Sequence, residues 1–297
     1  MNIYLDCIPC FLRQSLEAAR HVSDDVALHE QIVRDVLRLA SVLDLDRPPP
    51  WVGQLIHRRL RELTGVEDPY RDAKERFTRM ALSLLPRLRA RVSWAPIPLV
   101  AAAKAAIAAN VIDLGVNGAL DESQAETVLL ESCTSDAQGD FVEFQRQADQ
   151  AKEILYLADN AGEIAIDRIL IEVLGPERVI LVVRGKAVIN DATVDDARAA
   201  GLHDIVRIID NGSDAPGTIL ADCNAELLKR FRSADLIISK GQGNFETLSG
   251  EDARLVFLLK VKCPVIARHT GMQLGAHALL TTDKARAALA STGSRRD

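Results

Sequence analysis

The chain is expected to fold as α/β, a three-layer α/β/α, Rossmann-like parallel sheet preceded by an all-helical N-terminal subdomain. From Asp6 to about Gln150 apolar residues recur at helical spacing, as Ile32, Val36, Leu39, Ala40 and Leu43 do. After about Lys152 short apolar runs alternate with helical ones, the mark of βα units around a sheet covered on both faces. At 297 residues the chain exceeds the usual single domain, so the expected division is 1–150 helical and 151–297 α/β, with 95–120 lining the site from the helical side.

Breaks in the helical part are proline-rich Arg47 to Pro50, a turn at Val66 to Pro69, and the two prolines between Trp94 and Pro98. The alanine-rich stretch Leu99 to Ala109 reads as a closely packed helix ending near Asn110. Five strands are expected: Ile154 to Ala158, Val179 to Val183, Ile205 to Ile209, Leu236 to Ser239 and Val265 to Ala267. Helices are expected at Ile164 to Leu174, Val194 to Ala200 and Gly217 to Phe231.

Composition excludes several classes. A net charge of −6 argues against a nucleic-acid partner, which calls for a basic face. The local basic run His57, Arg58, Arg59, Arg61 reads as a solvated helix face, with an anion patch as the alternative. No run of about 18 apolar residues suits a membrane, and the start MNIYLDCIPC lacks the features of a signal peptide, so a cytoplasmic protein with no membrane partner is expected. The five cysteines then read as reduced thiols. Cys7 and Cys10 form a CxxC that suits a soft metal (with Cys263 as a further ligand), a redox pair, or simply a packed helix start; the spacing leaves these open. Oligomeric state is not legible.

Chemistry should gather where strands end, because ligands of open α/β sheets bind at the carboxyl edge. Strand one runs into Asp159, Asn160 and Glu163, strand two into Arg184, Asn190 and Asp191, and strand four into Lys240, Gly241, Gly243 and Asn244. Carboxylate and amide oxygens are hard ligands suited to a divalent cation such as manganese, magnesium, cobalt or nickel, and Asp159, Asn160 and Asp191 would supply them. Lys240, followed by Gly-Gln-Gly, adds positive charge and backbone N–H groups that suit a phosphoryl group. Each piece also has an ordinary explanation. An Asp-Asn pair after a strand can cap a helix, Asp191 can cap the helix near Val194, and Lys240 can snorkel. Asp195 and Asp196 read as first-turn residues favoured by the helix dipole. No GxGxxG follows the first strand, and Walker A, GxSxG and HExxH motifs are absent. Asn160 and Ala161 follow Asp159 where a haloacid-dehalogenase-type phosphatase would want a second aspartate.

DCIPC, NVIDLG, LADNAGE, VRGKAVINDATVDDA, SKGQGNFETL and LLKVKCPVIA together resemble the damage-control metal-phosphatase family, which includes a member described as an acidic-residue methyltransferase. The resemblance spans nearly the whole chain and is closest to a shorter prokaryotic branch with an N-terminal CxxC. It implies a helical part packed on a three-layer α/β part, a divalent cation on Asp159, Asn160 and Asp191, and hydrolysis of small phosphorylated metabolites, often sugar phosphates or damaged cofactor intermediates. On that expectation Asp159 and Glu163 act in catalysis, while Lys240, Gly241, Asn244, Arg184, Asn110 and Asp113 face substrate or phosphate. Competing readings are a non-catalytic sugar-phosphate-binding protein and a carboxyl methyltransferase.

Overall fold

The computed structural model describes residues 1–110, 122–133, 136–251 and 254–282. The N-terminal half contains α1 (Cys7–Val22), α2 (Val26–Ala40), α3 (Pro49–Thr64), α4 (Arg71–Ser93), α5 (Pro98–Ala108), α6 (Glu122–Ser132), the short strand β1 (Gln138–Gly139) and α7 (Phe141–Gln150). There follow β2 (Ile154–Leu157), α8 (Ala161–Leu174), β3 (Val179–Val183), α9 (Val194–Ala199), β4 (Arg207–Asp210) and α10 (Ala225–Ser233). The last elements are β5 (Leu236–Lys240), α11 (Gly241–Leu248), β6 (Leu255–Lys260), α12 (Pro264–Thr270) and β7 (His277–Thr281).

The strands form one sheet in the order β1-β7-β6-β5-β2-β3-β4, parallel throughout except for the β6–β7 pair. β2 starts the parallel set. From it the chain winds outward through β3 and β4 on one side, then returns to build β5 and β6 on the other. This is the order of a doubly wound sheet, and its switch point is the crevice between the carboxyl ends of β2 and β5.

Alternation along the strands divides the core in two. Ile154, Tyr156, Leu181 and Ile238 face a cluster shared with α4, α5, α8 and α9, whereas Leu155, Leu157, Val182 and Ile237 face α10, α11 and α12. The expected division at residue 150 is therefore redrawn. α4, α5 and α7 form part of one outer layer of the sandwich and β1 joins its sheet, so only α1 to α3, with their own core of Phe11, Ile32, Val36, Ile56 and Leu60, make a separate lobe. Helical periodicity reveals that a segment buries one face but is silent on what covers it.

Two expected elements are also corrected. Val265 to Ala267 lie in α12, not in a strand, because Pro264 occupies the first helical turn and the Cys263 side chain caps it by accepting from the Ile266 N–H. The missing parallel strand is the apolar run Leu255–Lys260. The segment expected to be helical from Gly217 to Phe231 is mostly a loop until Asn224, whose side chain accepts from Leu227 N at 2.9 Å and starts α10.

The basic run on α3 is taken up in ion pairs rather than offered as an anion patch, with Arg58 and Arg59 remaining partly solvated. Arg58 and Arg61 pair with Asp214 in the loop after β4, Gln54 Nε2 donates to Asp214 and Asp222 at 2.7 Å each, and Arg59 pairs with Asp35 and Glu62. His57 is buried. These bonds fasten the helical lobe to the sheet. Burial raises the Asp214 carboxyl, but hydrogen bonds from Arg58 and Gln54 outweigh it and hold the pKa at about 2. A depressed carboxylate stabilises above its unfolded pKa of about 4 and loses that contribution as pH falls toward 2. Asp214→Asn is therefore expected to cost about 2 kcal/mol at pH 7, the scale of hydrogen bonds to charged groups. Urea unfolding at pH 7 and at about pH 3 should show the gap to wild type narrowing in acid; a gap independent of pH would assign the loss to packing.

Candidate active site

The switch-point crevice opens into a cleft of about 400 Å³ between the sheet edge and the helical lobe. Asp159, Asn160 and Asp191 stand on its wall, as the sequence led one to expect, joined by a bridge between the Asn160 and Asp191 backbones. None of the three is spent as the expected helix cap. Asn160 occupies the N-cap position of α8 without a side-chain capping bond, and α9 is capped by a box of Thr193 with Asp196. That box uses Asp196 as a first-turn residue, in line with the sequence reading, and Asp196 also takes the buried Lys74 ammonium at 2.7 Å.

Local backbone brings these oxygens together. Gly241 has φ of +78°, and a β-carbon there would lie 2.0 Å from Asp159 Oδ2, so only glycine admits the carboxylate at this distance. Ile189, two residues before Asp191, holds φ of +47°, a strained conformation for a β-branched residue of the kind concentrated at functional sites. The Asn160 amide is oriented by its neighbours: Nδ2 donates to Asp159 Oδ2 and Glu163 Oε2 at 3.1 Å each, which turns Oδ1 away from both carboxylates. The opposite flip would set an oxygen against two anions.

Several residues expected to face phosphate lie one layer deeper. Lys240 is fully buried, its ammonium 2.5 Å from Glu163 Oε1 and 2.6 Å from Asp167 Oδ1, so it does not form a phosphate cradle. Arg184 is likewise buried and pairs through Nε with Asp191 Oδ2 at 2.7 Å. Asn244 is a strut, donating to the Ala158 and Lys240 carbonyls at 3.1 and 2.8 Å and accepting from Thr218. Glu163, expected to assist catalysis, is covered and receives Asn110 Nδ2 as well as Asn160 and Lys240. Thus Asn110 does reach this cluster from the end of α5, but beneath the wall. Asp113 lies outside the described residues.

The cleft wall also carries Gln242 and Gly243 of the expected Gly-Gln-Gly run, and two residues, Lys262 and Glu246, that sequence reasoning passed over. Lys262 follows β6, whose charge lowers the pKa of Asp159, and Gln242, Gly243 and Glu246 come from the first turns of α11. Lys262 was legible in principle, since it follows a strand at the same carboxyl edge, but only once β6 was recognised. Burial pushes Glu246 up to about 7, so it can hold a proton at neutral pH. The Asp159 carboxyl is raised well above its ordinary value by burial, then by Glu163 and Asp191.

The charge balance of this cluster is uneven. Four carboxyl groups (Asp159, Glu163, Asp167, Asp191) meet two buried cations, Lys240 and Arg184, with Lys262 acting on Asp159 from the cleft wall. Among the described residues no three His, Cys, Asp or Glu side chains form a ready-made metal cluster; the oxygen donors on the cleft wall are the carboxyls of Asp159 and Asp191, the latter paired with Arg184, and the Asn160 carboxamide oxygen. Such a set fits a hard divalent cation that keeps positions open for water and substrate.

Fold and site define a doubly wound α/β protein with an acidic oxygen-donor site at its switch point. The chain belongs to the damage-control phosphatase ARMT1-like family, whose domain model matches residues 3–278. It is 35% identical over 292 residues to an uncharacterised protein of Methanocaldococcus jannaschii, covering 94% of this chain and 95% of that one. It is 34% identical over 281 residues to a damage-control phosphatase of Archaeoglobus fulgidus, covering 93% and 97%. The crystal structure of a DUF89 family protein from Pyrococcus horikoshii superposes with a TM-score of 0.87 at 30% identity, covering 95% of this chain and 99% of that one. These relatives support a phosphatase role. No helix among the described residues is long and apolar enough to cross a membrane.

Proposed function

We propose that the protein is a divalent-metal-dependent phosphomonoesterase of the cytoplasm, acting on small phosphorylated metabolites such as sugar phosphates or damaged phospho-metabolites. The observation that carries this reading is the trio Asp159, Asn160 and Asp191, not spent as helix caps and brought together on the cleft wall at a cluster of four carboxyl groups. These residues would hold manganese, magnesium, cobalt or nickel; a cation so bound polarises phosphoryl oxygens and lowers the pKa of a coordinated water.

The remaining work falls to the chain. Glu163 orients the Asn160 carboxamide and Arg184 orients Asp191, as outer partners of ligating groups do. Lys262 and the N-terminal turn of α11 at Gln242 and Gly243 offer positive potential to a phosphoryl group entering the cleft. Glu246 can hold a proton on the same wall and would serve as the acid for a departing alkoxide.

The test is a panel of phosphorylated metabolites assayed after rigorous chelation and after each cation is restored. Turnover should vanish with the metal and return with at least one cation. Full activity of metal-free protein would sink the metal mechanism, and saturable binding without turnover would make the protein a metabolite-binding module.

A further inference from the structure

The CxxC of Cys7 and Cys10 takes no part in this chemistry, yet both thiols, with Cys263, line the same cleft. Cys7 opens α1 and Cys10 stands three residues further along the same helix. Helical geometry sets such Cα atoms about 5 Å apart, inside the roughly 4.4–6.8 Å that a disulfide spans. Cys10 is exposed, and Arg13 Nη2 lies 3.8 Å from its sulfur. Cys263 is otherwise engaged: its sulfur caps α12 and receives Gln242 Nε2 at 3.7 Å. A metal held by the three thiols is not supported, since they form no convergent ligand group.

We propose that Cys7 and Cys10 are a reversible dithiol–disulfide pair on the cleft wall, oxidised by low-molecular-weight disulfides. Cys10 gives its proton to solvent and its sulfur attacks one sulfur of the small disulfide, breaking that S–S bond to form a mixed disulfide and expelling one thiolate, which takes up a proton. Cys7 gives its proton to solvent and attacks the Cys10 sulfur, closing the Cys7–Cys10 bond and expelling the second thiolate. The pair loses two electrons and two protons, and one small disulfide becomes two thiols. Burial pushes Cys7 up to about 11, against the lowering effect of its hydrogen bond with the Tyr4 backbone and with Glu246, Cys263 and Cys10 adding to the rise. Asp6, Phe11 and Gln14, beside the pair, also line the cleft, so oxidation tightens the turn that forms part of its wall. None of this depends on the phosphatase reading.

The experiment equilibrates the full chain in glutathione buffers of increasing oxidised fraction, quenches by alkylation, and reads intact mass and peptide maps. The expected product has lost two hydrogen atoms, carries a Cys7–Cys10 bridge, and reverts with dithiothreitol. Cys263→Ser should keep it. Cys10→Ser should abolish it, and Cys7→Ser should instead accumulate a glutathione adduct on Cys10. Complete alkylation of all three thiols in the most oxidising buffer overturns the proposal, as does a wild-type Cys10 adduct that never closes or a bridge mapped to Cys263.

Discussion

Asp159→Asn is expected to lower phosphate-ester turnover at least about a hundredfold, the scale for disabling a metal site, while leaving the metal-free protein as stable as wild type or more so. The two effects share a cause. Asp159 is crowded by Glu163 and Asp191 in a partly buried setting that drives its pKa well up, so removing its charge relieves repulsion in the apo state. The same substitution deletes a ligand charge, so cation-dependent stabilisation should shrink as affinity falls, following RT ln(1 + [L]/Kd). Asn fits the space against Gly241 because it is isosteric with Asp, which keeps the test free of steric damage. Calorimetric melting with and without manganese, run beside steady-state kinetics, reads both. A variant that melts early without metal, or that retains near-normal turnover, would return Asp159 to a structural role.

The strand ends were legible in the sequence because a parallel sheet buried on both faces writes its strands as plain apolar runs, as Val179–Val183 does. Polar residues placed directly after such a run emerge at the sheet edge, as Asp159 and Asn160 do, whereas Asp191 is carried beside them by the longer loop that follows β3. Depth was not legible. Lys240 and Asn160 both follow strands, yet one lies beneath the cleft wall and the other on it. The difference arises from Asp167, a mid-helix residue of α8 that no motif marks and that draws the Lys240 ammonium inward. Val265 to Ala267 resembled a strand because β-branched apolar residues suit either state, and the deciding feature was the Cys263–Pro264 cap. The reach of α4 and α5 across the sheet was hidden because periodicity does not name a partner.

Lys240→Met is expected to destabilise the fold by about 3–5 kcal/mol near pH 8, the range for removing one partner of a buried ion pair. Methionine fills much of the lysine volume, so the loss would report charge: Glu163 and Asp167 would face each other with no buried cation between them. Even with Lys240 present the Asp167 pKa is raised to about 7, with burial the leading cause, opposed by Lys240 and aided by Glu163. A carboxyl whose folded pKa lies above its unfolded value takes up protons on folding, so its unfavourable contribution grows as pH rises from about 4 to about 7 and levels off above that. Removing Lys240 should push Asp167 higher still, making the variant lose stability more steeply than wild type over that window and recover part of the deficit near pH 5. Adding Asp167→Asn should restore stability in the double variant by removing the repulsion, a coupling that a double-mutant cycle measures directly. Turnover should fall as well, because Glu163 holds the Asn160 carboxamide in register. Urea titrations of the four proteins at pH 5 and pH 8, with kinetics at saturating metal, distinguish this from direct phosphate contact. If Lys240→Met keeps its stability at both pH values but weakens substrate binding alone, the ammonium reaches the substrate and the buried-pair assignment fails.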